Sequence, residues 1–141
     1  MNIYFSCSIT GGRADEQIYQ TLVADMLSCG HSVPTAHLSS PHVLEMERVA
    51  RPDEIFARDM NWLKTCDVVV AEVSTPSHGV GYEIAIALTL GKPVFCCHRQ
   101  ERRVSMILTG NPAPNLTVVE YGSPAQAVEQ VRSFLDRVQT K

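Results

Sequence analysis

The chain has 141 residues, of which 45% are hydrophobic and 19% charged, with a net charge of −3 and a pI near 5.9. This length suits one domain covering residues 1–141, and the composition excludes a disordered chain. The acidic balance argues against a nucleic-acid surface, because such surfaces depend on clustered Lys and Arg. No apolar run approaches the roughly 20 residues that a membrane span needs, so neither nucleic acid nor membrane is an expected partner.

The five cysteines are an odd number without a C-x-x-C pair, which argues against a disulfide framework or a zinc ribbon. Cys96 and Cys97 are adjacent in an apolar run, so their side chains should point to opposite faces of a sheet. The chain opens directly into a strand pattern, without a basic, cleavable leader. We therefore expect a cytoplasmic protein with reduced thiols, and entry into a nucleus stays open.

Strand and helix patterns alternate along the chain. Strands are predicted at residues 2–6, 31–35, 67–73, 92–97 and 116–121. Helices are predicted at residues 13–29, 53–64, 80–91, 102–108 and 124–138, with a helical turn at 43–49 inside the poorly patterned segment 36–52. This alternation predicts a doubly wound, Rossmann-like or flavodoxin-like α/β sandwich with a five-stranded parallel sheet in the order 2-1-3-4-5.

The segment 71–85, AEVSTPSHGVGYEIA, predicts the end of a strand, a turn and the start of a helix. Free N–H groups and the positive dipole end at a helix start stabilise an anion such as phosphate. Gly79 and Gly81 would let the backbone approach a ligand, and Ser77 would cap the helix or bind the ligand. In the predicted strand order, this loop faces the loop SCSITGG that follows the first strand. A plain turn between strand and helix is the alternative.

Three side chains are predicted to project into that crevice: Tyr4, Asp59 and Glu83. Two carboxylates and a phenol beside a phosphate site suit the cleavage of a glycosidic bond. Because Glu83 lies in the first helical turn, we expect a depressed pKa and an ionised side chain, which suits a nucleophile. Asp59 would be the acid or a hydrogen-bonding partner of the leaving base. Ordinary structural roles are the alternatives, such as a surface pair of Asp59 with Arg58 or Lys64.

Other kinds of site find little support in the sequence. His37, His42 and Glu45 lie in the segment 36–52, but no further ligands accompany them as a metal site requires. The G-x-S-x-G, G-x-x-x-x-G-K-[ST] and G-x-G-x-x-G motifs are all missing. We predict neither a metal nor a cofactor.

The pieces YFSCSITGGR, DMNWLKTCDVVVAEVSTPSHGVGYEIA and GKPVFCC resemble the nucleoside 2-deoxyribosyltransferase superfamily, and most closely its 2′-deoxynucleoside 5′-phosphate N-hydrolase branch. The resemblance runs from Ile3 to about Gly110. It implies hydrolysis of the N-glycosidic bond of deoxynucleoside monophosphates to free base and 2-deoxyribose 5-phosphate. It also implies that Glu83 forms a covalent deoxyribosyl intermediate, that Asp59 assists departure of the base, and that Tyr4 orients the nucleophile.

The resemblance further implies a homodimer in which Ser105 reaches the phosphate from the neighbouring subunit. The implied substrate and phosphate contacts are Ser8, Ile9, Thr10, Gly11, Gly12, Arg13, Ser77, Gly79, Gly81, Ser105 and Met106. Two positions depart from the family pattern: Cys7 stands where Gly is usual, and Thr10 where Arg is usual. Arg13 or a residue of the basic patch 99–103 would have to compensate for that missing arginine.

Three alternatives to this hydrolase remain open from the sequence. A true deoxyribosyltransferase would pass the sugar to a second base, although the serines of the phosphate loops favour a monophosphate substrate. A ribonucleotide N-glycosidase acting on a substrate such as CMP would differ in its contacts to the 2′ position. A nucleotide-sensing module would bind without turnover and would lose nothing on substitution of Glu83.

Overall fold

The computed structural model describes residues 1–140, in which four parallel strands are surrounded by helices. The strands are β1 (Ile3–Ser6), β2 (Val68–Glu72), β3 (Val94–Arg99) and β4 (Leu116–Tyr121), in the spatial order β1-β2-β3-β4. The helices are α1 (Glu16–Ser28), α2 (Val43–Arg48), α3 (Pro52–Thr65), α4 (His78–Thr89), α5 (Met106–Thr109) and α6 (Pro124–Gln139), with a 3₁₀ turn at Ala36–Ser39. The predicted α/β class and parallel sheet are confirmed.

The prediction of a fifth strand at residues 31–35 is wrong. The segment begins as a strand beside β1, where the Ile3 amide donates to the Ser32 carbonyl at 2.7 Å, but only one parallel bridge, between Asn2 and Ser32, forms. Pro34 has no N–H to continue the ladder. The Phe5 amide instead donates to the Thr35 hydroxyl at 2.8 Å, and the chain turns into the 3₁₀ segment.

The sheet is covered on both faces, which explains the continuous apolar run of β2. One face packs on α1 and α6 through side chains such as Phe5 and Phe95, and the other packs on α3 and α4 through Tyr4 and Val69. All five residues of β2 are buried, and full burial of a valine side chain stabilises the fold by roughly 1.5–3 kcal/mol. Cys96 and Cys97 lie on opposite faces, as their adjacency predicts.

Several helices begin or end away from their predicted positions. Helix α1 begins at Glu16, later than predicted, and the carboxylate of the preceding Asp15 binds Arg99 and Thr75 and does not cap the helix. Helix α4 begins at His78, which places both glycines of its first turn inside the helix. The helix predicted at 102–108 is shorter and lies at Met106–Thr109. In the part of the chain that the structure describes, no helix has the length and apolarity to cross a membrane.

Candidate active site

Glu83 projects from the second turn of α4 onto the end of β1, so its predicted place in the first helical turn is wrong. The Tyr4 hydroxyl donates to Glu83 Oε1 at 2.7 Å, and the Ser6 hydroxyl donates to Oε2 at 2.5 Å. Tyr4 and Ser6 share a face of the strand because they are two residues apart. Both carboxylate oxygens are therefore fixed by hydroxyl donors from one strand.

Burial raises the pKa of Glu83 above its usual range, which corrects the expectation of a depressed pKa from the helix start. The hydrogen bonds from Ser6 and Tyr4 oppose this shift, and the negative charges of Asp59 and Glu47 add to it. Glu83 also lies beyond the first turn of α4, where the helix dipole acts most strongly. A carboxylate poorly solvated but held by two hydroxyls is a stronger nucleophile than one in water.

Asp59 extends from α3 toward the same cavity of about 360 Å³ that Glu83 lines. Its Oδ1 accepts a hydrogen bond from Nε of Arg58 at 2.8 Å, so the surface pair that stood as an alternative is present. The Asp59 side chain nevertheless faces the cavity and is only 15% exposed. The structure therefore brings Tyr4, Asp59 and Glu83 together at one site.

The first loop, residues 7–15 after β1, lies directly against the second loop, residues 73–77 before α4. A Cβ atom on Gly11 would lie 2.3 Å from the carbonyl oxygen of Pro76 and 2.8 Å from Oγ of Ser8. Gly12 has φ +131°, a conformation that favours glycine. The two glycine-bearing loops thus meet, as predicted from the sequence, and only a bare backbone fits between them.

The side chains of this first loop differ in how they are used. Ser8 is fully buried, and its Oγ has no hydrogen-bond partner among residues 1–140, so the loop must shift before that hydroxyl meets a ligand. Ile9 packs on the core, and Thr10 is exposed. The structure places these residues beside the second loop without directing their side chains at an open cavity.

Arg13, one of the predicted phosphate contacts, binds protein groups around the loop after β1. Its Nη1 donates to the carbonyls of Leu38 at 2.8 Å and Ser8 at 3.2 Å, and its Nη2 donates to the carbonyl of Ser40 at 3.0 Å. Nε pairs with Glu16 at 3.1 Å. The guanidinium is occupied by protein groups, and it joins the segment after the 3₁₀ turn to the first loop.

The residues of the second loop lie between two cavities. Ser77 caps α4, since its Oγ accepts a hydrogen bond from the Val80 amide at 3.5 Å. Gly79 lines the cavity of Glu83, whereas Ser77 and Gly81 line a neighbouring cavity of about 480 Å³. Ser105 lines that second cavity too.

The basic patch that follows β3 contributes one residue to that second cavity. Arg103 lines it together with Ser77. Arg99, by contrast, pairs with the buried Asp15 at 2.7 Å. Met106 is 87% exposed at the start of α5.

Sequence reasoning missed two features of this region. Ser6 could have been found from its period-2 spacing to Tyr4 in the strand. Glu72 is fully buried and accepts hydrogen bonds from the hydroxyls of Ser74 and Tyr121, the latter at 3.0 Å. No local pattern joins Glu72 to Tyr121, which is far away in the chain. Among residues 1–140, no three His, Cys, Asp or Glu side chains gather as a metal site would need.

Comparison with known proteins places this chain in a family. The sequence profile described as Nucleoside 2-deoxyribosyltransferase matches residues 3–129. The chain is 39% identical over 141 aligned residues to a 5-hydroxymethyl-dUMP N-hydrolase of Rattus norvegicus, covering 96% of this chain and 83% of that protein. It is 36% identical over 122 residues to a protein of Methanococcoides burtonii provisionally named 2′-deoxynucleoside 5′-phosphate N-hydrolase 1, covering 86% and 100%.

A solved structure is also similar in fold. The CMP N-glycosidase of Clostridium botulinum superposes with a TM-score of 0.72 at 17% identity, covering 94% of this chain and 98% of that one. At this identity the likeness concerns the fold. The extent of the sequence match is what decides the family: this chain belongs to the nucleoside 2-deoxyribosyltransferase family.

Proposed function

We propose that this protein hydrolyses the N-glycosidic bond of 2′-deoxynucleoside 5′-monophosphates, releasing the free base and 2-deoxyribose 5-phosphate. The observation that carries the proposal is the carboxylate of Glu83, held by the hydroxyls of Tyr4 and Ser6 and lining a cavity with Asp59. The names of the rat and archaeal relatives support the same reaction and the same substrate class.

The chemistry follows from the two carboxylates. One oxygen of Glu83 attacks the anomeric carbon, and the bond from that carbon to the base nitrogen breaks with its electron pair leaving on the base. The departing base takes a proton, and a covalent sugar ester of Glu83 remains. Water then attacks the same carbon, loses its proton to a carboxylate, and releases Glu83, so that one water is consumed per base released.

Asp59 has two candidate roles: it is either the acid that protonates the departing base or a hydrogen-bonding partner of that base. Its salt bridge with Arg58 gives the negative form a cationic partner at 2.8 Å, which favours the second role. We therefore assign Asp59 to positioning the base and to accepting the proton of the attacking water. The departing base then takes its proton from solvent.

The 5′-phosphate would be held where the two loops meet at the start of α4. The free N–H groups of that helix start, the Ser77 hydroxyl and the open backbone at Gly79 are suited to an anion. Arg103, which lines the adjacent cavity, would supply a further donor. A nucleoside without phosphate leaves all of these donors unpaired, so it should be a poor substrate.

We also propose that the protein works as a homodimer in which Ser105 reaches the phosphate of the neighbouring subunit. In support, Met106 and Ile107 beside it are 87% and 85% exposed, an unusual exposure for large apolar side chains. Light scattering at assay concentration measures the association. Base release from a mixture of Glu83→Gln and Ser105→Ala subunits should exceed that of either variant alone, since one mixed site keeps both residues.

The function is tested by supplying dAMP, dGMP and dCMP and their nucleosides, and measuring free base by chromatography. We expect release from the monophosphates at kcat/KM at least about 10²-fold above the nucleosides, because several hydrogen bonds to a charged group are lost without phosphate. Equal values for nucleoside and monophosphate would rule out a phosphate site.

The same panel separates the alternative functions. Adding a second free base should leave the product as 2-deoxyribose 5-phosphate, whereas a transferase would make a new nucleotide. Comparing dCMP with CMP decides whether a 2′-hydroxyl is accepted. Binding without base release from any nucleotide would indicate a sensing module.

A further inference from the structure

The cavity beside Glu83 also has an acidic wall, in which the proposed reaction gives a role to Asp59 alone. It is formed by Glu47 from α2 and Asp59 from α3. The remaining wall is mainly apolar and includes Ile55, Phe56 and Met60. A flat aromatic ring that enters this cavity would meet apolar surface on its faces and carboxylates at one edge.

One guanidinium fixes both carboxylates of that wall. Nε of Arg58 donates to Asp59 Oδ1 at 2.8 Å, and Nη2 donates to Glu47 Oε1 at 3.3 Å. The same guanidinium lies over the ring of Trp62, 5.0 Å from its centroid, so its own orientation is restricted. Arg58 thereby also joins α2 to α3 across the cavity.

Each of these carboxylates keeps one oxygen without a donor. Among residues 1–140, no hydrogen bond reaches Oδ2 of Asp59 or Oε2 of Glu47, although the side chains are only 15% and 22% exposed. Glu83 differs, because Tyr4 and Ser6 occupy both of its oxygens. The free acceptors of the cavity therefore belong to Glu47 and Asp59 and not to the nucleophile.

We propose that Glu47, together with Asp59, selects bases that carry an exocyclic amino group at the edge facing this wall. An amino group offers two hydrogens to the free acceptor oxygens, whereas the oxo base offers only the single N–H of the neighbouring ring nitrogen and places carbonyl lone pairs against negative charge. This inference rests on the proposed function, because it assumes that the base occupies the cavity next to Glu83. Arg58 is then a positioning residue that holds the two acceptors in place.

Two matched substrate pairs test the inference. In dCMP and dUMP, and in dAMP and dIMP, the members of a pair differ by an amino group or a carbonyl on the same ring carbon. We expect the amino member of each pair to have the higher kcat/KM, by about 10-fold to 100-fold, the range of one or two such hydrogen bonds. A preference for the oxo member in both pairs would overturn the proposal.

The variant Glu47→Gln sharpens the test. Its carboxamide keeps an oxygen for Arg58 but presents donors as well as an acceptor, so the preference within each pair should shrink to about threefold or less. Glu45→Gln is the control, since Glu45 lies on the same short helix, is 79% exposed and faces solvent. Equal preference ratios in the two variants would contradict a role for Glu47, and thermal melting of both variants checks that they fold.

Binding separates this inference from the proposed function. Dissociation constants of the four nucleotides are measured on the Glu83→Gln protein, which keeps the cavity but lacks the attacking carboxylate. If the wild-type protein releases base from no monophosphate, the proposed function fails, and the ratio of dissociation constants within each pair still decides the inference. Tighter binding of dCMP than dUMP and of dAMP than dIMP, by about tenfold, supports it, and equal binding overturns it.

Discussion

Two glutamates on either side of the loop 73–77 have similar local chemistry. Glu83 accepts hydrogen bonds from two hydroxyls, Tyr4 and Ser6, and Glu72 accepts from two as well, Tyr121 and Ser74. Burial raises the pKa of both, in the case of Glu72 to about 7. A shifted pKa and a pair of hydroxyl donors are therefore common to both regions.

The surroundings of the two carboxylates differ. Glu83 lines a cavity that Asp59 also lines, whereas Glu72 is fully buried among protein groups. The Ser74 hydroxyl that binds Glu72 also accepts a hydrogen bond from the Arg99 amide at 2.8 Å, so this network joins the carboxyl ends of β2, β3 and β4. A perturbed carboxylate indicates chemistry only where a substrate can reach it, and Glu72 instead holds the strand ends together.

The largest expected effect on turnover comes from removing the charge of each glutamate in turn. Glu83→Gln should lower the rate of base release from monophosphates by about 10³-fold or more, because a carboxamide cannot form the sugar ester. Glu72→Gln should keep kcat within about threefold at pH 6, since it touches no reacting atom. Single-turnover base release measures both, and near-normal turnover in Glu83→Gln would show that another group attacks the sugar.

An intermediate effect is expected from removing one hydroxyl donor from each glutamate. The Tyr4 hydrogen bond lowers the pKa of Glu83, so Tyr4→Phe should raise that pKa further. Because the nucleophile must be ionised, the rising limb of kcat/KM against pH should move to higher pH, with about a 10-fold loss at neutral pH. Tyr121→Phe is the matched control at Glu72, and an equal displacement of its pH profile would contradict the assignment.

The smallest effect on turnover, and the clearest on stability, concerns the pH dependence of folding. Glu72 has a pKa of about 7 in the folded protein, against its ordinary value of 4.5, so the folded state holds the extra proton between these values. Its contribution to stability is full below about pH 4.5 and is lost as the pH rises through 7, by up to about 3 kcal/mol. The free energy of unfolding, measured with urea from pH 5 to 8, should fall with rising pH in the wild-type protein and should fall less in Glu72→Gln. Identical slopes would show that Glu72 does not titrate in this range.

Local sequence patterns were enough to predict most of the architecture. The run DVVVAEV is apolar on both faces of a strand and could hardly be anything but a central parallel strand. The meeting of the two glycine-bearing loops followed from strand order alone. The resemblance of the motifs, and not their spacing, supplied the pairing of Tyr4 with Glu83.

The errors arose where distant residues compete for a local group. Thr35 takes the Phe5 amide that a fifth strand would have needed. The pKa of Glu83 is raised because the folded chain buries its carboxylate, which lies beyond the first turn of α4. Each of these outcomes depends on contacts between residues far apart in the chain, so no short stretch of sequence predicts it.

The close approach at Gly11 has a consequence for how this site could be redesigned. A side chain there would meet the Pro76 carbonyl at 2.3 Å, so the two loops behave as one interlocking part and not as two independent inserts. An exchange of the first loop alone with that of a relative would transfer a backbone shaped for a different counterpart. An exchange meant to transfer the substrate range of a relative to this protein should therefore replace both loops together.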